Sequence, residues 1–403
     1  MKLSTALSAL ALSVMLVACS DDEPKEKHND FGLADSYSVS RMQALQLYTT
    51  ATGTSYTWHV KGPEGAVFRA KGDASLFNFV AITEGHYEAC LTIDGDIDEV
   101  HNFTIDVTHE KDEYSPNIAQ VHEYCPAPGQ FVNTMPEYEE GDTHLDMCAK
   151  CLDCICGTND EPITLGGFGG YVTFSFDHSV VNVSGEKDIR LWGNTFWDGS
   201  GAGVGGGSSE PGIVMVSIDA NLNGIPDDPW YELAGSEYHS TGTVHNYEIT
   251  YFVPDPNREI VTDTKASITD RNYILWMDNK GETGYVSKNM YHSQDYYPAW
   301  VAEQSISFAG TRLAPNAEDV NGDGDGSLYV LHNYEWGYAD NYPNTDAEHN
   351  SFDISWAVDE NGKPVDLPYI DFVRVYTGIN QYCGWIGETS TEISRAADLH
   401  LAQ

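Results

Sequence analysis

The stretch Gly166-Gly167-Phe168-Gly169-Gly170-Tyr171-Val172-Thr173-Phe174-Ser175-Phe176 joins a glycine-rich turn to a run of β-branched and aromatic residues. Such a run after glycines is typical of a buried β-strand. The glycines lack the Lys-Ser/Thr pair of a phosphate-binding loop, and they precede a strand rather than a helix. We therefore interpret residues 166–170 as a tight turn that leads into a core strand.

Runs of the same kind recur up to the C-terminus, and few helical periods lie between them. The clearest predicted strands are 171–176, 188–192, 212–218, 247–253, 273–277, 305–308, 328–331, 352–358 and 371–376. The segment Asp359-Glu360-Asn361-Gly362 predicts a hairpin turn. The whole pattern favours an all-β protein. We expect residues 166–403 to form a large jelly-roll-like antiparallel β-sandwich that binds the ligand.

Residues 36–108 predict a separate and smaller β domain. Alternating runs such as Tyr56-Thr57-Trp58-His59-Val60 are separated by turns such as Asp94-Gly95-Asp96. Short strands at regular spacing are typical of an Ig-like sandwich. The turn Glu84-Gly85-His86-Tyr87 before a strand resembles PKD modules, although their Gly-Asp-Gly signature is missing. We predict an N-terminal Ig/PKD-like domain that acts mostly as a spacer.

The pattern of residues 1–18 predicts that this segment is a lipoprotein signal peptide. Lys2 is followed by a short apolar run that ends in Leu16-Val17-Ala18-Cys19. These are features of a secretory signal, and the run is too short to span a bilayer. The ending resembles the bacterial lipobox, which implies a lipid anchor on Cys19. The alternative is an ordinary signal peptide with an incidental cysteine.

We predict that residues 19–35 form an acidic tether. The segment Ser20-Asp21-Asp22-Glu23 resembles the surface-export signal of Bacteroidetes lipoproteins. This resemblance implies that the chain is held on the outer membrane and faces the cell surface. A plain solvated tether, which any lipoprotein needs, is the alternative.

The chain is strongly acidic, because 20 Lys and Arg residues stand against 62 Asp and Glu residues for a net charge of −42. Such a surface repels nucleic acid and anionic lipid headgroups. We therefore exclude nucleic acid as a partner, and we expect membrane contact only through the lipid. Hydrophobic residues make up 41% of the sequence, which excludes an acidic disordered chain.

Residues 109–165 predict a linker with a short, cysteine-rich helix. Asp142 or Thr143 can cap this helix, which we expect to run to about Cys156 and to end at Gly157. It carries four thiols, Cys148, Cys151, Cys154 and Cys156. Thiols three residues apart on a helix cannot bridge each other without distortion. Disulfides to Cys90, Cys125 or Cys383, reduced thiols and a metal site all remain open.

Two acidic loops fit the calcium-binding pattern D-x-[DN]-x-[DN]-G, in which alternating residues aim oxygens at one hard cation. The first loop offers Asp219, Asn221 and Asn223, with Asp227 or Asp228 to complete the set, and the second offers Asp319, Asn321, Asp323 and Asp325. Neither has a glutamate at the twelfth position, so we predict structural Ca²⁺ on a β scaffold. The alternative is a polar hairpin whose Asp and Asn side chains bond their own backbone.

Two segments that are broken by glycine or proline, 291–300 and 334–342, are rich in aromatic residues. Exposed Trp and Tyr rings form flat platforms for sugars or large planar ligands. We predict a binding face formed by Tyr296, Tyr297, Trp300, Trp336, Tyr338 and Tyr342. The alternative is that these rings fill the space between loops and sheet.

Catalytic motifs are missing from the sequence. It contains no H-E-x-x-H and no G-x-S-x-G, and carboxylates are too abundant for an acid/base pair to be chosen without geometry. We predict that the protein is not an enzyme.

Several motifs together resemble a family of Bacteroidetes cell-surface lipoproteins with a PKD-like N-terminal domain. They are Gly129-Gln130-Phe131-Val132-Asn133, residues 136–143, residues 166–170, Ser209-Glu210-Pro211-Gly212-Ile213, residues 230–236 and Asp371-Phe372-Val373-Arg374-Val375. The resemblance covers nearly all of the mature chain. It implies association with TonB-dependent uptake systems and similarity to BtuH-like corrinoid-binding surface lipoproteins.

Two functions follow as expectations. The first is a surface lipoprotein that binds a nutrient, a corrinoid such as vitamin B12, for hand-over to a TonB-dependent outer-membrane transporter. The alternative is a calcium-stabilised glycan-binding or adhesive surface protein.

Overall fold

The computed structural model describes residues 30–401 except 64–66, 73, 158–160, 198–205 and 323–327. The signal peptide, Cys19 and most of the tether therefore lie outside the described residues. The N-terminal strands are β1 (Ser36–Ser40), β2 (Leu45–Tyr48), β3 (Tyr56–Lys61), β4 (Val67–Gly72), β5 (Leu76–Phe79), β6 (Gly85–Ile93) and β7 (Val100–Thr108).

The rest of the chain is also built mainly of strands. The first half contains β8 (Gln120–Cys125), α1 (His144–Ile155), β9 (Ile163–Thr164), β10 (Tyr171–Val181), β11 (Ile189–Trp192), β12 (Gly212–Ser217), β13 (Trp230–Leu233), β14 (Val244–Phe252), β15 (Ile268–Asp278) and β16 (Thr283–Asn289). The second half contains β17 (Ser305–Arg312), β18 (Ala317–Asp319), β19 (Tyr329–Leu331), β20 (Ser351–Phe352), β21 (Ala357–Val358), β22 (Tyr369–Thr377), β23 (Glu392–Ile393) and β24 (Arg395–Asp398).

The predicted all-β sandwich class is confirmed, since α1 is the one α-helix among the described residues. One predicted strand is wrong. Residues 352–358 are interrupted by the 3₁₀ helix Ile354–Trp356, because the Asp353 side chain accepts the N–H of Ser355 and so caps a turn there.

A six-stranded sheet in the order β21-β13-β12-β22-β10-β8 forms the centre of the larger unit, and its described pairs are antiparallel. Alternate residues point to opposite faces. One face, with Val172, Val214 and Val375, packs into a core that also contains buried residues of α1. The other face, with Tyr171 and Tyr376, packs toward the four-stranded sheet β16-β15-β14-β17. The central sheet is therefore covered on both sides.

The predicted helix is confirmed. Thr143 caps it by accepting the N–H of Asp146, and the Asp146 carboxylate accepts the N–H of Thr143 in return. The segment predicted as a linker also contains β8, which pairs with β10 as the edge of the central sheet. Residues 120–125 are therefore part of the large unit.

Seven described cysteines are free thiols, including all four in or next to α1. Cys148 and Cys151 are buried in the core, whereas Cys156 is exposed. Burial raises the pKa of Cys148 to about 11, which keeps this thiol protonated and unreactive. Among the described residues, no two cysteines are joined by a disulfide, and metal binding by Cys148, Cys151, Cys154 and Cys156 stays open.

The N-terminal strands form a five-stranded sheet, β1-β7-β6-β3-β4, and a two-stranded sheet, β2-β5, around their own core. The described pairs are antiparallel except β1 with β7, which is parallel. This unit packs on the larger one through Met42, which is fully buried with Val181 and Tyr369. The N–H of Ser179 also donates to the carbonyl of Met42 at 2.9 Å. The N-terminal unit is thus docked on the larger sandwich.

Within the described residues, no helix is both long and apolar enough to cross a membrane.

Candidate functional site

A row of side chains crosses five strands of the central sheet. Strand register places Glu232 opposite Met215, Met215 opposite Arg374, Arg374 opposite Thr173, and Thr173 opposite Glu123. Residues that are directly opposite each other lie on the same face of a sheet. The row therefore brings together polar residues that are far apart in the sequence.

Arg374 organises the aromatic residues beside this row. Its guanidinium carbon lies 4.4 Å from the ring centres of both Tyr171 and Trp230. Its Nε donates to the Thr173 hydroxyl at 2.8 Å, and its terminal nitrogen donates to the Glu123 carboxylate. Cation–π contacts and directed hydrogen bonds together fix the guanidinium, so one cation holds both rings in place.

A cleft of about 410 Å³ opens between this face and strand β17. Its lining includes Tyr171, Trp230, Glu232, Tyr238, His245 and Arg374. Aromatic walls with a few converging polar groups are typical of small-ligand sites, which range from about 300 to 1,000 Å³. We call this space the Trp230 cleft.

Glu232 is the acidic group of the cleft. Its Oε2 accepts a hydrogen bond of 2.6 Å from the Thr311 hydroxyl. Burial raises its pKa to about 7, and the Thr311 hydrogen bond acts in the opposite direction. The carboxyl is therefore partly protonated near neutral pH.

His245 lies beside Thr311, whose single O–H proton is donated to Glu232. Its Nδ1 lies 3.2 Å from the Thr311 hydroxyl, and its Nε2 lies 3.1 Å from the Tyr238 carbonyl. A carbonyl only accepts, so the Nε2–H donates to the Tyr238 carbonyl. The imidazole ring also lies 4.5 Å from the Tyr238 ring, with the two ring planes tilted by 48°, and this contact helps to fix its orientation in the cleft wall.

The predicted aromatic binding face is wrong for three of its six residues, because they are buried. Tyr296 and Tyr338 are 0% and 1% exposed, and Tyr297 is 7% exposed. Their hydroxyls are used internally: for example, Tyr297 donates to the Glu303 carbonyl at 3.0 Å. These rings fill core space and cannot form a surface platform.

The other three predicted rings have packing partners outside the cleft lining. Trp300 stacks on Tyr124 at 5.7 Å, and Tyr342 stacks on His349 at 4.1 Å. Trp336 is 36% exposed and lies 4.7 Å from Trp356. The density of aromatic residues along the sequence therefore did not identify the Trp230 cleft.

The first predicted calcium loop joins β12 to β13 and is closed by its own side chains. The Asp219 carboxylate accepts the N–H groups of Asn223 at 3.0 Å and Gly224 at 2.7 Å. The Asn223 side-chain amide donates to Asp227, and Asn221 accepts the N–H of Asn223. This arrangement has the hydrogen bonds of a polar hairpin, but each carboxylate oxygen keeps a further lone pair. Calcium binding here stays a prediction.

The second predicted loop follows β18. Gly322 donates its N–H to Asp319 Oδ1 at 3.2 Å, and Asn321 lies in the same turn. Asp323 and Asp325 lie outside the described residues. The prediction for this loop is untested.

The structure contains a cluster of buried acidic residues that the sequence did not predict. One oxygen each of Glu210, Asp340 and Glu392 lies within 4.8 Å of the others. Burial, and next the Asp340 charge, raise the pKa of Glu392 to about 8. The pKa of Asp340 is raised by burial to about 6. These residues are far apart in sequence and no motif links them, so only the fold brings them together.

No protein-family model matches this chain, and no curated protein sequence matches it either. Among solved structures, it is similar to a SusE-like protein, BT2857, with 7% identity and a TM-score of 0.25 over 89% of this chain and 94% of that one. It is also similar to a structure of carbohydrate-binding modules from the β-sandwich superfamily, with 9% identity and a TM-score of 0.15 over 89% and 91%. At these TM-scores neither likeness assigns a fold or a ligand to this chain.

The acid cluster predicts that stability falls as pH rises. The usual pKa of Glu392 is 4.5 and its folded value is about 8. The folded protein therefore retains a proton that the unfolded chain loses, so the free energy of unfolding should decrease by at least about 1 kcal/mol between about pH 5 and pH 8. Urea denaturation at several pH values measures this decrease. Glu392→Gln should flatten the profile, whereas the exposed Glu282→Gln should not; equal slopes in all three proteins would contradict the prediction.

The calcium loop gives a second prediction. If Ca²⁺ binds at Asp219, EDTA should lower the melting temperature of the purified chain, and added Ca²⁺ should restore it, because a ligand of the native state stabilises that state. Asp227→Asn should reduce the effect by removing one candidate ligand. Identical melting curves with Ca²⁺ and with EDTA would show that the loop is only a polar hairpin.

Proposed function

We propose that this chain is a surface lipoprotein that binds a carbohydrate in the Trp230 cleft. The observation that carries the proposal is the position of Trp230 and Tyr171, held by Arg374 on one side of a cleft that also presents Glu232. The carbon-bound hydrogens of a sugar ring pack on aromatic faces, and its hydroxyls bond to carboxylate and imidazole groups. Both kinds of partner line this cleft.

The size of the cleft favours a sugar over a corrinoid. Its 410 Å³ is near the lower end of the range for small-ligand sites, about 300 to 1,000 Å³. A corrinoid ring with its nucleotide tail is far larger than a drug-sized ligand. One or a few sugar units match the available volume better, so glycan binding replaces corrinoid binding as the leading function.

Binding is better supported than cleavage. A glycosidase needs a pair of carboxyl groups that flank the scissile bond. Besides Glu232, the acids of the cleft are Asp359 and Glu360. Asp359 accepts the N–H groups of Asn361 and Lys363 at 2.8 and 2.9 Å, and these bonds hold the hairpin. The same bonds lower the pKa of the Asp359 carboxyl. Glu360 is exposed on the same hairpin.

The anchor and transport parts of the proposal rest on the sequence. Lipidation of Cys19 would hold the chain at the outer membrane, and the acidic tether would carry it outward. Delivery of a captured glycan to a TonB-dependent transporter is the expected use of such a protein. The net charge of −42 suits an uncharged or cationic ligand.

Substitution of Trp230 tests the proposal. A glycan array with the purified mature chain should give a carbohydrate ligand, and calorimetry should then show that Trp230→Ala weakens its binding by about 2 kcal/mol, or roughly 30-fold. Trp230→Phe should weaken binding less than Trp230→Ala, because phenylalanine keeps an aromatic ring. Cobalamin should show no binding.

Trp336→Ala is the matched control, since Trp336 lies outside the cleft lining. Its affinity should equal that of the parent chain, and circular dichroism should show that each variant is folded. An array with no carbohydrate ligand, or a glycan whose affinity depends on Trp336 rather than Trp230, would contradict the proposal. Recovery of the intact oligosaccharide after incubation distinguishes binding from cleavage.

A further inference from the structure

We propose that the Trp230 cleft selects glycans with a free amino group over their neutral and acidic counterparts, and that Glu232 is the counter-ion of that amino group. This inference rests on the proposed carbohydrate-binding function and narrows it to a substrate class.

The first step concerns the unbalanced charge of Glu232. One carboxylate oxygen, Oε2, accepts from the neutral Thr311 hydroxyl. Among the described residues, no Lys or Arg forms an ion pair with Glu232. A carboxylate that is desolvated without a cationic partner is destabilised, and a cationic ligand group would supply the missing partner.

The second step concerns the cation of the cleft, Arg374, which is already neutralised. Its guanidinium donates to the Glu123 carboxylate and to the Thr173 hydroxyl, and it makes cation–π contacts with two aromatic rings. Arg374 therefore positions the rings and has little positive charge to offer an acidic sugar. Asp359 and Glu360 in the lining add to the repulsion of anionic ligands.

The third step concerns the geometry that an amino sugar would use. Glu232 and Trp230 are two residues apart on β13, so their side chains lie on the same face of the sheet. A sugar ring packed on the Trp230 ring can therefore place an equatorial ammonium group near Glu232. That group would donate a charge-assisted hydrogen bond, which is stronger than the bond from a neutral hydroxyl.

The test uses three oligosaccharides that share a β-1,4-linked glucose skeleton and differ at one position: an amine, an acetamide or a hydroxyl. Calorimetry with the purified mature chain near neutral pH should show the glucosamine oligomer binding about tenfold or more tightly than the other two. An oligomer of glucuronic acid should bind most weakly.

Two variants separate the role of Glu232 from general electrostatics. Glu232→Gln keeps an acceptor for Thr311 and should abolish the preference for the amine. Glu282→Gln removes the same charge from an exposed turn outside the cleft lining, and it should keep the preference.

Equal affinity for the three oligomers, or no measurable binding of the glucosamine oligomer, would overturn the amine selection. If a glycan array still shows another carbohydrate ligand that depends on Trp230, the proposed function survives. If the array shows no carbohydrate ligand, the proposed function itself fails.

Discussion

The contact between Arg374 and the rings of Tyr171 and Trp230 is the constraint on which the cleft depends. Three strands supply these residues: β10, β13 and β22. Strand pairing holds the guanidinium against these rings, because it places Thr173 next to Arg374 and Glu123 next to Thr173, where both accept its hydrogen bonds. One fixed cation thus positions two aromatic side chains of the cleft wall. Because Arg374 is paired with Glu123, it does not balance the charge of Glu232.

The central sheet makes this arrangement rigid, because it is buried on both faces. Its valine-rich face packs on the helix α1, while its other face packs on the four-stranded sheet and opens into the cleft at the edge strand β17. Binding sites on such sheets are more precise than sites on loops, since strand register fixes each side chain. The acid cluster of Glu210, Asp340 and Glu392 joins three further segments inside the same unit.

Local patterns in the sequence predicted much of the fold. The helix α1 was found because its cap, Thr143 with Asp146, lies within one turn of the chain. Most strands were found because buried strands are short runs of β-branched and aromatic residues. The prediction of one continuous strand over 352–358 was wrong because the Asp353 carboxylate accepts the N–H of Ser355 and so caps a 3₁₀ helix there.

The Trp230 cleft was not predicted because its residues meet through long-range strand register. Glu123, Thr173, Met215, Glu232 and Arg374 come from five separate strands. By contrast, the aromatic clusters around Tyr296 and Tyr338 are dense in sequence but buried in the structure. Sequence composition shows how many rings a segment has, whereas exposure depends on what packs against them.

The most direct test of carbohydrate binding in this cleft is a crystal structure of the chain with its tightest array-derived oligosaccharide. The account predicts a sugar ring packed on Trp230, with a polar group of the sugar within hydrogen-bonding distance of Glu232. A sugar bound elsewhere, with the cleft between β13 and β17 free of ligand, would contradict it.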